Sequence, residues 1–333
     1  MAPQGTLREL VAALEAQARA QEAVGNQVDL LETLSKLAAL LRELNDEGRA
    51  RGALDQAYRV AETVEDRHAV APTLDRLGSL YRRQGGWDRA LELYHRALAL
   101  QEEARDQIGI AMTLGNIAEV LQGRGDFRKA LETYGASLTL KIELQDEPGL
   151  ALTWNNVGAV KARMGDIQGA MEAFRNSLQM QEKLGDLPGK AVTLANIGGL
   201  HQRRGDWHEA RQVFEESLAL YEMVGDLMGT ATTLNTLGFV QRRLGDLDGA
   251  YQRYGRARDL MQGLGDLLRT TIPTHNMALI HEERGEYREA LRLMEEVISI
   301  DKRIGHPDLR QDLEAFGRIR EKLDRQRDQH SFS

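Results

Sequence analysis

A glycine returns every 40 residues along this chain, at Gly85, Gly125, Gly165, Gly205, Gly245 and Gly285. Self-similarity at that length signals stacked supersecondary units, each burying its apolar face against the next, and not a single folded core. Other positions keep the same register. Ala90, Ala130, Ala170, Ala210, Ala250 and Ala290 follow five residues later, then the large apolar series Tyr94, Tyr134, Phe174, Phe214, Tyr254 and Met294. No insertion breaks the spacing.

The recurring glycine marks a turn between two helices, because Gly ends a helix in the left-handed conformation without steric cost. An acid follows it at Asp126, Asp166, Asp206, Asp246 and Glu286, placed to accept from free amides of the next helix or to complement its dipole. A second turn falls midway, at Gly185-Asp186, Gly225-Asp226 and Gly265-Asp266, with Arg105-Asp106 and Gln145-Asp146 as weaker copies. Each unit is therefore a helix pair. Pro148 and Pro188 sit in the first turn of the following helix, where a missing amide hydrogen costs little.

Projected at helical period, residues 148–184 place Trp154, Val157, Gly158 and Lys161 on one face of the first helix, with Ala170, Phe174, Ser177 and Leu178 as the facing stripe of the second. The pattern Trp154, Gly158, Ala170, Phe174, Ser177, repeated as Leu194, Gly198, Ala210, Phe214, Ser217, resembles the tetratricopeptide repeat. The 40-residue spacing is similar to the long-helix class of that family, which includes Pins-type adaptors, kinesin light chains and bacterial signalling proteins. The resemblance implies an all-α fold, a right-handed superhelical solenoid of antiparallel helix pairs.

Seven repeats share one register: 28–64, 68–104, 108–144, 148–184, 188–224, 228–264 and 268–304. The first is degenerate, with Asn45-Asp46 at its turn. An amphipathic segment before them (1–27, with Leu7, Leu10, Val11, Leu14 and Ala18) and one after them (305–326, with Leu309, Leu313, Phe316, Ile319 and Leu323) are expected to be capping helices, since the ends of a solenoid need a polar outer face. Residues 327–333 lack apolar periodicity and are expected to be a frayed tail. Pro273 is expected to delay or kink the first helix of the last repeat.

Composition narrows the function classes. With 42% hydrophobic residues, 28% charged residues and no Cys in 333 residues, the chain suits an all-helical protein without disulfides, thiol nucleophile or Cys-based zinc site. Its net charge of -8 argues against general nucleic-acid binding, which depends on Lys and Arg neutralising phosphates. No apolar run approaches the roughly 20 residues of a membrane span, and no apolar core follows the N-terminus as in a signal peptide. A cytoplasmic location is expected.

Signals for catalysis are poor. His281-Glu282-Glu283 lacks the second His of a zinc-protease helix, and His68, His95, His201, His208, His275, His306 and His330 show no ligand spacing. His201 and His281 share a repeat position and are expected to be packing or surface residues. Gly185 to Lys190 is one residue short of a phosphate loop and lacks the following Ser or Thr. No catalytic residue, metal or cofactor is expected.

The informative positions lie on the face of the first helices that does not pack. One series there reads Asn116, Asn156, Asn196, Thr236 and Asn276; Asn is a mediocre helix former, so its recurrence mid-helix needs a reason. A second reads Arg83, Arg163, Arg203 and Arg243, interrupted by Gly123 and ended by Glu283. A third is apolar: Met112, Leu152, Val192 and Ile272, with Phe239 nearby. The amides can hydrogen-bond between helices or hold the main chain of an extended peptide, and the arginines can be a solvated face or a reader of carboxylates. In the family this chain resembles, this face lines a concave groove. The resemblance thus implies a non-enzymatic scaffold or adaptor whose partner is a protein or peptide, with an acidic or C-terminal segment favoured by the arginines. A peptide-responsive regulatory sensor and a non-catalytic subunit of a larger enzyme complex are the alternatives. Glu282 and Glu283 are expected to reverse the charge at the last repeat.

Overall fold

The computed structural model describes residues 4–44, 46–64, 67–83 and 85–331, and among these it contains sixteen α-helices and no strand. Helix α1 (Gln4–Ala23) precedes seven pairs. They are α2 (Gln27–Glu43) with α3 (Glu47–Ala61), α4 (Arg67–Arg83) with α5 (Trp87–Ala104), α6 (Gln107–Arg124) with α7 (Phe127–Glu143), and α8 (Glu147–Arg163) with α9 (Ile167–Leu184). There follow α10 (Leu187–Arg204) with α11 (Trp207–Val224), α12 (Leu227–Arg243) with α13 (Leu247–Gly263), and α14 (Leu267–Glu283) with α15 (Tyr287–Ile304); α16 (Leu309–Ser331) ends the chain. The helices group into two compact units, residues 1–180 and 181–333.

Local chemistry sets the helix boundaries. Asp106, Asp146, Asp186, Asp226 and Asp266 each accept from the amide three residues on, all at 2.9 Å, so the midway turns are as regular as the turns marked by glycine. At the other turns Asp166 and Asp246 cap in the same way. Asp126, Asp206 and Glu286 make no such bond, and their charge complements the helix dipole. Asp46 caps α3 through the Arg49 amide, whereas Asn45 lies outside the described residues. Glycines end most helices with positive φ, and Arg105 (56°) and Gln145 (55°) adopt the same left-handed conformation without being glycine.

Within a pair, a small residue on the first helix receives the aromatic ring of the second. A Cβ added at Gly78, Gly158, Gly198 or Gly238 would come within 2.7, 2.6, 2.9 or 2.7 Å of Tyr94, Phe174, Phe214 or Tyr254 respectively. A serine ladder fixes three of the pairs, α6 with α7, α8 with α9 and α10 with α11. Ser137, Ser177 and Ser217 donate to the carbonyls of Ala111, Ala151 and Ala191 at 2.7, 2.7 and 2.8 Å, tying each second helix to the first helix of its own repeat. Threonines at Thr33, Thr73, Thr113, Thr153, Thr193 and Thr233 form another 40-residue series and are all buried.

The ends differ from the repeats. In the first unit α1 contributes Val11 and Ala18 to a core with Leu30, Leu34 and Leu41; residues 1–3 lie outside the described residues. In the second unit α16 buries Ala315 and Ile319 against Ala290, Leu293 and Met294. Two expectations are corrected. The segment expected to fray continues α16 through Ser331, where Arg327 and Gln329 are good helix formers even without an apolar stripe, and residues 332–333 lie outside the described residues. Helix α14 does not start late: Asp266 caps it on schedule and Pro273 is buried inside it, with Thr274 donating back to the Thr270 carbonyl at 2.8 Å.

Candidate functional site

The asparagine series is half-buried and engaged within the protein. Asn156 donates to Glu119 at 3.2 Å and Asn276 to Asn235 at 3.1 Å, each reaching the first helix of the preceding repeat. Asn116 bonds the Asp75 carboxylate, which also accepts from Thr113 and, at 3.0 Å, from Gln101. Burial pushes Asp75 up to about 6, and those three bonds hold it lower than burial alone would. Asn196 also has a partner within the protein and lines a cavity of about 500 Å³ with Thr232, Thr233 and Thr236. Asn116, Asn156 and Asn276 therefore link neighbouring repeats, and all four asparagines stay half-buried.

The arginines Arg83, Arg163, Arg203 and Arg243 are exposed. Arg163 lies 5.4 Å above the Phe127 ring and Arg243 lies 5.1 Å above Trp207, so aromatic faces at the start of the preceding second helices position both cations. The break at Gly123 has a steric cause: a Cβ there would meet Trp87 at 2.9 Å. Phe239 is half-buried and meets Trp207 edge-on at 6.1 Å. Met112, Leu152, Val192 and Ile272 expose 59, 58, 41 and 49% of their surface. Asn116, Asn156, Arg83, Arg163, Met112 and Leu152 belong to the first unit, and Asn196, Asn276, Arg203, Arg243, Val192, Phe239 and Ile272 to the second.

At the last repeat the acidic charge is compensated. Glu282 accepts from Arg318 and Lys322, which outweigh the upward push of burial and hold its carboxyl below the usual range; Glu283 pairs with Arg242. The sequence signal for this was the opposite charge on α16, legible only once α16 is known to pack against α14.

The remaining candidates are structural. His281 bonds Glu286 and Tyr251, and His201 lies 3.5 Å from Asp206, each imidazole beside the acid that opens the next helix. Gly185 to Lys190 is a helix start, with Asp186 on the Gly189 amide and Lys190 paired to Glu182 at 2.7 Å. Lys141 is buried and donates to Thr153 at 2.7 Å, its pKa lowered by desolvation. Among the described residues no three His, Cys, Asp or Glu side chains are grouped to hold a metal ion, and no helix is long and apolar enough to cross a membrane.

The tetratricopeptide repeat model matches residues 69–143, 149–223 and 229–303, more than half of the chain, and the chain belongs to that family. That fold serves as a protein-interaction scaffold. No curated protein sequence matches the chain. Among solved structures, the apo form of RapI is 16% identical with a TM-score of 0.63, over 83% of this chain and 98% of that one. A Rap protein complexed with competence and sporulation factor is 15% identical with a TM-score of 0.62, over 97% of each chain. Aspartyl phosphate phosphatase F from Bacillus subtilis is 14% identical with a TM-score of 0.62, over 84% of this chain and 73% of that one. At these identities the likeness is one of fold.

Proposed function

We propose that the chain is a non-enzymatic, cytoplasmic scaffold or adaptor that binds a peptide segment of a partner protein along the exposed face of its first helices. The observation that carries this reading is that in each unit an exposed arginine held on an aromatic ring, Arg163 in the first and Arg243 in the second, accompanies exposed apolar side chains and half-buried amides on the first helices. Arginines held in place lose less freedom on binding a carboxylate than free ones, and carboxylates suit their fork geometry, so an acidic or C-terminal segment is the favoured ligand. The fold shared with a Rap protein solved in complex with competence and sporulation factor makes a ligand-responsive regulator the second reading.

Selection of random dodecapeptides on the whole chain tests the proposal. Selected peptides are expected to be rich in Asp and Glu or to end on the recognised carboxylate. The variant Arg163→Glu/Arg203→Glu/Arg243→Glu is expected to bind them about tenfold more weakly or worse, with the salt dependence flattened. Undiminished binding by that variant would move the site off this face.

A further inference from the structure

The cavity beside Asn196 differs from the rest of the face in a way the repeat register exposes. At the two positions of the first helix that look toward the next repeat, the seven repeats carry Ser35 and Ala39, Asp75 and Ser79, Gly115 and Glu119, Asn155 and Ala159, Ala195 and Gly199, Asn235 and Phe239, and His275 and Leu279. Ala195 and Gly199 are the smallest pair. A Cβ added at Gly199 would meet nothing within 4 Å, so the space in front of it is open. One repeat further on, the position of Gly199 is taken by Phe239. The notch is therefore the place where this pair of positions carries least side chain, one repeat before Phe239 fills the same position.

The lining states what fits. The rings of Phe214 and Tyr221, both buried, belong to α11, and Met228 stands on α12. The polar groups at the rim are neutral amides and hydroxyls. The one charged residue in the lining, Asp226, is already committed to capping α12 through the Gly229 amide at 2.9 Å. A carboxylate entering here would lose hydration and meet the like charge of Asp226, while Phe214, Tyr221 and Met228 offer apolar surface, so the lining favours an uncharged apolar group over an acid. Thr236 donates its hydroxyl proton to the Thr232 carbonyl at 3.0 Å, which leaves its oxygen to accept an amide N–H at the rim. A volume of about 500 Å³ falls within the roughly 300–1,000 Å³ of ligand pockets and takes one large side chain with adjoining main chain.

We propose that this notch is a specificity pocket for one uncharged, large apolar side chain, aromatic or aliphatic, of a peptide bound on the first-helix face, with Ala195 and Gly199 as the residues that set its depth. The proposal rests on the peptide-binding reading above. It adds an apolar anchor to the acidic preference assigned to the arginines.

The test uses the whole chain and the same random dodecapeptides, labelled with fluorescein and titrated by anisotropy against wild type, Gly199→Leu, Ala195→Asn and the control Gly135→Leu. Position 135 also faces open space, on a different helix, and Ala195→Asn installs the residue that positions 155 and 235 already carry, which guards against a misfolded Gly199→Leu. Peptides selected on wild type are expected to share an aromatic or large aliphatic residue. Changing that residue to Ser should weaken binding about tenfold to a hundredfold on wild type and Gly135→Leu, and hardly at all on the two filled variants, where affinity is already lost. If the peptides bind the filled variants as tightly as wild type yet fail on the arginine-reversed variant, the pocket assignment falls and the groove stands. If no peptide is selected by wild type, both fall together.

Discussion

Phe174 lies so close to Gly158 that a single added methyl at position 158 would sit 2.6 Å from its ring. Four of the seven repeats use this glycine-to-ring contact, and the other three carry alanine there: Ala38, and Ala118 and Ala278 in the repeats of Tyr134 and Met294. The contact brings the two helices of a pair together at close-packed density, where added volume has nowhere to go.

Gly158→Val is therefore expected to destabilise the protein by about 2 kcal/mol, the cost of overpacking plus that of a β-branched residue in a helix. Gly135→Ala, in a helix but facing open space, is expected to stabilise by about 0.5–1 kcal/mol through helix propensity alone. Urea denaturation of the two variants beside wild type checks both signs. A neutral Gly158→Val would show that the rings do not set helix spacing.

The contrast between these glycines also shows where the sequence is legible. Gly158 was readable because one residue type recurs at one register position and the aromatic recurs sixteen residues later. The asparagine series was readable as a series, but not what it does: Asn116, Asn156 and Asn276 meet an aspartate, a glutamate and an asparagine at two different offsets, so no periodic signal names their partners. Gly199 carries no signal until the face it occupies is known, since an absent side chain becomes a pocket only when its neighbours leave the space empty. The compensation of Glu282 carries no periodic signal either, because its two cations come from a helix outside the repeat register.

Helix ends offer a second check. Gln145 holds φ at 55°, where the other turns of its kind in the later repeats place glycine. A non-glycine residue there crowds its Cβ against the backbone. Gln145→Gly is expected to stabilise by about 1 kcal/mol, less the entropy glycine adds to the unfolded chain. Chemical denaturation reads the difference, and a destabilised variant would mean that the Gln145 side chain outweighs its strained backbone.

The last prediction concerns the junction of α15 and α16. Asp301 is fully buried, and neither carboxylate oxygen has a hydrogen-bond partner apart from its coupling to the neighbouring carboxyl of Asp312. The groups facing the pair are His306 and Asp308 from the turn before α16 and His275 from α14, whose imidazole bonds Asp312. Burial first, then Asp312, pushes Asp301 up to about 6. The folded state thus favours the protonated carboxyl, whose ordinary pKa is about 3.9. Its contribution to stability is complete below about pH 4 and is lost as the pH rises through about 6. Asp301→Asn keeps the shape and stays neutral at every pH, so it should slow amide exchange in α15 and α16 relative to wild type at pH 8, with the gap closing toward pH 4. Local exchange is the suitable readout because a repeat array opens in segments, and the end segment can loosen without global unfolding. Amides of the 107–124 helix serve as the internal reference. An Asp301→Asn variant whose α16 amides keep the same pH dependence as wild type would place the proton elsewhere and remove Asp301 from the account of how the last helix is held.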